Sequence, residues 1–434
     1  MPDSNPISYK STTIACYTGN FIQAIVINLT PILFIPLREQ FGLSFEQLGF
    51  LILINFFTQV LCDIFFSTLV DKYGFRPFIL IAHILTVVGF LMFALAPMVL
   101  VNPYPGFILA TIVFSGSGGL LELLLSPIVN AIPTAEKATA MSVLHSFYAW
   151  GQVAVVLITT LFLFGFGRTT WQWIVVLWTI PAIVNFILFM KVPLAPSVAE
   201  EHRQGIRMLI LKPFFIVAFL AILLGGASEV SMSQWSSAFM EKALNLPKVV
   251  GDIAGMCMFG LMLGVGRLLY GVYGKKINVN QVMSIGAFFA IFCYLVVALS
   301  PVNILSLIAL AACGFAVSLL WPGTLVITAE KFPLAGAWLF AILAAGGDIG
   351  ASVGPWLMSV ITEQAPRLSV FVGLASTLGL NQEQLGLRLG MLAGAIFPLG
   401  ALFCLRWMFR ANMAAGRTAQ NLPKIAKADG RQGI

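Results

Sequence analysis

Runs of apolar residues about 20 positions long recur along the whole chain, separated by short polar or charged segments. An α-helix of that length crosses the hydrocarbon core of a bilayer, so each run predicts one membrane-spanning helix. The runs do not alternate over ten-residue stretches as the strands of a membrane β-barrel do, which favours helices. Twelve spans are predicted, over residues 11–36, 46–70, 77–97, 105–131, 138–165, 171–192, 213–240, 250–274, 280–300, 302–329, 334–361 and 384–410.

The predicted fold class is therefore an all-α polytopic membrane protein of two six-helix halves. The composition agrees, because 59% of the 434 residues are hydrophobic and only 9% are charged, whereas about 25% of a soluble domain is charged. The predicted divisions are residues 1–192 for the N-terminal half, 193–212 for a cytoplasmic connector, 213–410 for the C-terminal half and 411–434 for a basic cytoplasmic tail.

The basic residues predict the orientation. With the N-terminus in the cytoplasm, 17 of the 24 lysines and arginines lie inside and six outside, with Arg267 left within a span. Membrane proteins keep their positive charge on the cytoplasmic side, so we expect both termini in the cytoplasm of a multi-pass inner-membrane protein. The polar N-terminus runs into the first span without a small-residue cleavage site, so no cleaved signal peptide is expected.

Several other classes of function are disfavoured. The net charge of +7 is spread over span ends without a basic patch, so no nucleic-acid partner is expected. The six cysteines lie in apolar runs without metal-ligand spacing, and no nucleotide-binding glycine loop or nucleophile-base pair is present. We therefore expect no metal, no cofactor and no enzymatic activity. The expected partners are a small-molecule substrate, protons and the lipid bilayer, with the chain as a monomer.

The two halves share features that suggest a repeat. Each half carries a strongly charged short turn between its second and third spans, at residues 71–76 and 274–276. The first span of each half also shares a spacing, with Gly19, Gln23 and Asn28 in one and Gly225, Glu229 and Gln234 in the other. Parallel repeats of this kind occur in transporters that bind their substrate near the membrane midplane, between the halves.

The turn after span two carries a family resemblance. Residues 67–76, Ser-Thr-Leu-Val-Asp-Lys-Tyr-Gly-Phe-Arg, resemble the loop signature of the major facilitator superfamily, with serine in place of its first glycine and Phe75 in place of one basic residue. Within that superfamily the chain resembles the fucose-galactose-glucose:proton symporter group. This second resemblance is carried by Gly118–Glu122 with Ser126-Pro127, by Ala227–Ser231, and by Gly266-Arg267 with Gly271.

Ionisable side chains within spans point to function, because each costs about 2.5–3.5 kcal/mol at a helix centre on insertion scales. Glu122 shares a helical face with Ser115 and Ser126. Desolvation favours the neutral form of a carboxyl, and the resemblance implies that Glu122 couples transport to protons. A structural acid between helices is the alternative. Glu229 and His145 are the other proton-coupling candidates, and for His145 a neutral ring bonded to a neighbouring helix is equally compatible.

The predicted substrate-binding residues combine amides, carboxylates and aromatic rings. Such groups exchange hydrogen bonds with hydroxyls and stack on a sugar ring, and the resemblance implies that spans one, four, seven and ten line the cavity. For the amides, helix–helix hydrogen bonding is the alternative, and for the tryptophans it is the lipid interface. The set is Gln23, Asn28, Glu122, Asn130, Glu229, Gln234, Trp235 and Trp321.

A polar stripe along span two predicts a gate. Asn55, Gln59, Asp63 and Ser67 recur every four residues, on one helical face that leads to Asp71. The resemblance implies that span two packs against span eleven. We expect Asp71 near the start of span eleven, at residues 335–336, where the helix dipole favours an acid, and Arg267 paired with Asp348 or Asp63. The predicted gating residues are Asp63, Asp71, Lys72, Gly74, Arg76, Arg267 and Asp348.

The sequence thus predicts a secondary active transporter. The leading hypothesis is proton-coupled symport of a small neutral polar solute such as a sugar, by alternating access. The alternatives are a proton-coupled exporter of lipophilic compounds or other metabolites and, less favoured, a sensor that does not transport. The intramembrane acids outnumber the single arginine, which disfavours an anionic solute.

Overall fold

The computed structural model describes residues 8–133, 137–195, 210–273, 276–332 and 337–420. Most of the predicted connector and the last 14 residues of the predicted tail lie outside this part of the chain. The described residues form helices joined by short turns.

Spans one to six are formed by the following helices, two of which continue across a break: Lys10–Ile32 with Phe34–Phe41, Phe45–Tyr73, Phe75–Val99, Tyr104–Ala131, Lys137–Phe166, and Trp171–Leu177 with Thr179–Lys191. Spans seven to twelve are formed by Pro213–Ala238, Lys248–Val250 with Met258–Tyr273, Val279–Leu299, Asn303–Val317 with Leu320–Lys331, Ala337–Gln364, and Gln382–Gly394 with Ile396–Gln420. A short helix, Ser369–Thr377, lies between spans eleven and twelve.

In the described residues, ten helices are long and apolar enough to cross a membrane, and the bent pair that forms span one is an eleventh. The twelfth is span eleven, a helix of 28 residues that carries Asp348 and several glycines. The predicted all-helical, twelve-span architecture is confirmed, and the chain is a multi-pass membrane protein. Its orientation and the domain limits stay predictions.

Span one bends by 43° at Leu33. The cause lies in its two prolines, Pro31 and Pro36, which have no N–H to donate to the carbonyl four residues earlier. The carbonyls of Ile27 and Ile32 are therefore left without their helical partners. Spans seven and eight are also irregular, because π-helical turns occupy Phe239–Ala243 and Gly251–Cys257.

The bundle has two distinct ends. At the first, called here the terminal end, the beginning of span one contacts residue 193 through Thr12, and Phe214 of span seven contacts Trp407 of span twelve. The opposite end, called the distal end, joins the first six spans to the last six. There Arg38 pairs with Glu383, and Glu363 accepts a hydrogen bond from the backbone N–H of residue 45.

Burial follows the same division. The larger cluster of buried apolar side chains draws on both the first six and the last six spans, whereas the second cluster contains residues of the first six alone. In the larger cluster, the Trp235 ring lies 5.3 Å from that of Phe34 and 5.6 Å from that of Phe45, measured between centroids. The distal end is therefore closed by a shared apolar core.

Span two packs along span eleven, in agreement with the expectation from the resemblance. Ser352 Oγ donates to the carbonyl of Leu53 at 2.9 Å, and Gly49 lies directly against Ser359. A Cβ at Gly49 would overlap the Ser359 side chain, so glycine is needed for this approach.

The predicted repeat has a packing counterpart. Gly19 of span one lies against Leu125 of span four, and Gly225 of span seven lies against Leu320 of span ten. The matched glycines thus both contact the span that comes three places later in the chain.

Candidate functional site

The predicted partner of Arg267 was wrong. Arg267 pairs with Glu229 and with neither Asp348 nor Asp63: its Nη2 lies 2.9 Å from each carboxylate oxygen of Glu229. Its Nε also donates to the carbonyl of Ser318, at 3.3 Å, where span ten is broken. Arg267 therefore joins spans seven, eight and ten and neutralises Glu229 in the interior of the last six spans.

Glu122 has a different environment. Gln23 Nε2 of span one donates to its Oε2 at 3.1 Å, and no cation is hydrogen-bonded to it in the described residues. Asp63 of span two and Asp348 of span eleven lie within electrostatic range of Glu122. One oxygen of each aspartate is buried without a hydrogen-bond partner. Like charges placed together in a poorly solvated region repel one another, so full ionisation of this acid cluster (Asp63, Glu122 and Asp348) is unfavourable.

Tyr148 of span five connects the two regions. Its side chain interacts with Asn28 and lies within electrostatic range of Glu229, Arg267 and Glu122. His145, one helical turn earlier, is exposed and lies within range of Arg267. The structure thus gathers groups from spans one, two, four, five, seven, eight and eleven around one place in the bundle.

Trp321 of span ten forms an aromatic wall beside this group. Its ring packs on Gly226 of span seven and Gly347 of span eleven, next to Asp348. A Cβ at Gly347 would overlap the ring, so the glycine makes room for the tryptophan. Trp321 is half-buried, and its role in binding stays a prediction.

Three predicted binding residues lie elsewhere. Trp235 is 1% exposed in the distal core, and its Nε1 donates to the carbonyl of Pro355 at 3.1 Å. Gln234 is also buried, with a long hydrogen bond of 3.5 Å to the carbonyl of Ile27. Asn130 is exposed near the terminal end of span four. The Trp235 ring is therefore enclosed by protein in the distal core, and its role in binding stays a prediction.

Asn28 donates to the carbonyl of Ala24 in its own helix at 2.9 Å, in addition to its interaction with Tyr148. His83 is buried between the carbonyl of Ile79 and the Asn185 amide, at 2.6 and 2.8 Å, and has a structural role.

The loop after span two is built around Gly74 and Arg76. Gly74 has a φ of +80°, a conformation that glycine adopts without strain. Arg76 donates to the carbonyls of Phe189, Met190 and Val192 and so caps the end of span six. Lys72 lies over the ring of Tyr73.

The expected contact of Asp71 with the start of span eleven cannot be placed in this structure. The side chain of Asp71 and residues 335–336 lie outside the described part. The gating role of this loop stays a prediction.

A sequence comparison identifies the family. The family model of the Major Facilitator Superfamily matches residues 16–355. The chain belongs to the major facilitator superfamily. This transporter is accordingly not an enzyme. The narrower resemblance to the fucose-galactose-glucose:proton symporter group stays a prediction.

Other comparisons give a distant relative and two similar folds. Inositol transporter 4 of Arabidopsis thaliana is 32% identical over 128 residues, which are 29% of this chain and 21% of that protein. The match thus spans about a fifth of the relative's length. A bacterial homologue of the human lysosomal transporter Spinster, in an inward-facing and occupied conformation, has a TM-score of 0.72 at 17% identity, with 94% of this chain and 98% of that chain covered.

A D-xylose-proton symporter has a TM-score of 0.71 at 16% identity, with 90% of this chain and 97% of that chain covered. These two TM-scores show that the fold is shared, and at identities this low they show the fold alone.

Sequence reasoning missed three residues that make buried polar contacts in the bundle. Tyr148 was not among the predicted site residues, although it lies among the central polar groups. Lys248 and Asp252 were missed because they fall at the predicted start of span eight. Their separation of four residues, which places both on one helical face, was the available signal.

Proposed function

We propose that this transporter carries a small neutral polar solute, a sugar or polyol, together with protons. It would do so by alternating access in an inner membrane, with both termini in the cytoplasm and the distal end facing outward. The observation that carries the proposal is the contrast between Glu229, which Arg267 neutralises, and Glu122, which accepts a hydrogen bond from the Gln23 amide and has acids as its charged neighbours in the described residues.

This contrast separates the two glutamates among the three proton-coupling candidates. A carboxylate paired with an arginine keeps its negative charge through the cycle, because protonating the carboxylate would leave the arginine without an anionic partner. Glu122 lies beside Asp63 and Asp348, so gaining a proton relieves repulsion and losing one restores it. We assign the coupled proton to Glu122 within this acid cluster, and the binding of solute hydroxyls to Glu229 and Tyr148.

The solute class follows from the surrounding groups. Gln23, Asn28 and Tyr148 can donate and accept hydrogen bonds, and Trp321 offers an aromatic face. This combination suits a ring that bears several hydroxyls. The names of the inositol transporter and the D-xylose-proton symporter support the same class.

Uptake into proteoliposomes tests the proposal. Purified protein should accumulate a labelled sugar or polyol from a panel when the lumen is made more alkaline than the outside, and a protonophore should abolish accumulation. Glu122→Gln should keep exchange of labelled for unlabelled solute and lose uphill uptake. Glu46→Gln, at an exposed hydrogen bond to Gln364, is the matched control and should behave as the parent. Accumulation that ignores the pH gradient would refute the coupling.

A further inference from the structure

We propose that a buried ion pair, Lys248 with Asp252, is the lock that holds the distal end shut, and that it works by binding a backbone carbonyl exposed by a proline in span one. The five members of this distal lock are Ile32, Thr160, Ser237, Lys248 and Asp252. The inference concerns the opening of the distal end and does not depend on which solute or ion is carried.

The first observation is the burial of the pair. Lys248 Nζ lies 2.9 Å from Asp252 Oδ1, and their side chains are 6% and 0% exposed. Charges buried to this extent are costly unless every group finds a partner. The described ion pairs that join the first six spans to the last six, such as Lys242 with Glu39, each have a partner whose side chain is more than a third exposed.

The second observation is that the partners come from both sides of the bundle. Asp252 accepts from Ser237 of span seven, and its Oδ2 accepts from Thr160 Oγ1 of span five at 2.8 Å. Lys248 donates to the carbonyl of Ile32 in span one at 2.9 Å. The pair belongs to the last six spans and reaches two helices of the first six.

The third observation explains why that carbonyl is available. In a regular helix the carbonyl of Ile32 would accept from the N–H of residue 36, and Pro36 has none. Pro31 frees the carbonyl of Ile27 in the same way, and Gln234 of span seven reaches it. Span one therefore offers two proline-freed carbonyls, and both are bound by side chains of the last six spans.

The local backbone supports this arrangement. Asp252 lies in the π-helical turn Gly251–Cys257, and such turns occur frequently at functional sites. Gly251 and Gly255 within it bring span eight close to span seven: a Cβ at Gly251 would lie 3.0 Å from the carbonyl oxygen of Ser237, and one at Gly255 3.2 Å from Ser236 Oγ.

An opening of the distal end would separate Lys248 from Ile32 and Asp252 from Thr160. Water could then replace both lost partners, while the Lys248–Asp252 contact within span eight could persist. The lock therefore favours the closed distal end without requiring the ion pair itself to break.

Distance measurements between spin labels test the lock. Labels at Val101→Cys, after span three, and at Val370→Cys, before span twelve, report the separation of the two sets of spans at the distal end, where both side chains are exposed. The background carries Cys404→Ser, because Cys404 is the native cysteine that is not fully buried. The measured quantity is the ratio of long-distance to short-distance populations.

Lys248→Met should raise that ratio by about tenfold or more, because it strands Asp252 in the closed state. The matched control is Lys242→Met at the exposed pair with Glu39, which should change the ratio by less than about twofold. A Lys248→Met ratio equal to that of the parent, or one matched by Lys242→Met, would overturn the proposal.

Two further variants keep the test decisive. Pro36→Ala restores an N–H that can compete for the carbonyl of Ile32, so the long-distance population should rise, whereas Pro97→Ala in span three should have no effect. An unchanged Pro36→Ala ratio would contradict the role of the proline.

If Lys248→Met is not recovered folded, Thr160→Val tests the lock in its place, since it removes one hydrogen bond to Asp252 with little change of shape. A raised ratio supports the lock and an unchanged one overturns it.

Discussion

Arg267 Nη2 lies 2.9 Å from both carboxylate oxygens of Glu229, while Glu122 accepts a hydrogen bond from the neutral amide of Gln23. Two glutamates that look alike in the sequence are thereby separated in charge and in role. Arg267 is committed to Glu229, which leaves the acid cluster of Asp63, Glu122 and Asp348 without a described basic partner.

Breaking the Arg267–Glu229 pair should damage both transport and stability. Arg267→Met leaves Glu229 with an uncompensated charge, at a cost of about 1–2 kcal/mol, because a quarter of the Arg267 side chain is exposed and solvent offsets part of the loss. Arg267→Met should lower the melting temperature more than the double variant Arg267→Met/Glu229→Gln does. Additive effects of the two substitutions would contradict a direct pair.

The two buried aspartates of the last six spans should respond in opposite ways to neutralisation. Asp348→Asn removes a charge from the acid cluster at an oxygen without a partner, so thermal stability should rise by about 1 kcal/mol. Asp252→Asn strands Lys248 and should lower stability by about 3–5 kcal/mol. Thermal unfolding in one detergent measures both. A loss of stability in Asp348→Asn would mean that this carboxylate has a favourable partner.

The two candidate tryptophans should separate in a kinetic test. Trp321→Ala removes the half-buried ring beside Asp348 and should raise the KM for solute by about tenfold, the effect of losing roughly 1.4 kcal/mol of binding. Trp235→Ala empties a buried site in the distal core and should lower stability by about 3–5 kcal/mol. Initial rates of uptake over a range of solute concentrations measure the first effect. Equal KM values in Trp321→Ala and the parent would remove Trp321 from the binding site.

Glycine contacts between spans two and four predict a further contrast. A Cβ at Gly119 would lie 2.7 Å from Cys62 Cβ and 2.9 Å from the backbone of Gln59, so Gly119→Ala should push these spans apart and lower stability by about 1–3 kcal/mol. Gly165→Ala is the control, because a Cβ there meets nothing within 4 Å and alanine favours the helix. A melting temperature of Gly119→Ala at or above that of Gly165→Ala would contradict the close packing.

Much of the fold could be predicted because the bilayer imposes it. A span must be long, apolar and helical, so the hydrophobic runs alone located all twelve spans to within a few residues for most of their ends. The bend in span one was harder to foresee, since Thr30-Pro31 shows where a helix weakens and leaves the direction of the bend to packing against spans seven and eight.

The partners within the site could not be predicted from the sequence. Arg267 had several intramembrane acids as possible partners, and its pairing with Glu229 depends on Gly266, which lets span eight approach Ser318 of span ten. Trp235 was assigned by its residue type and its neighbourhood in the sequence. Its burial follows from the distal core, a contact between spans that are about 200 residues apart along the chain.

The central claim is that Glu122 takes up the proton that accompanies the solute, and proton movement can be measured directly. In weakly buffered suspensions of proteoliposomes without an imposed gradient, addition of the transported solute should make the outside medium more alkaline for the parent protein. Glu122→Gln should give no such change while it still exchanges labelled for unlabelled solute. Solute entry by the parent without alkalinisation, or alkalinisation by Glu122→Gln equal to that of the parent, would contradict the account.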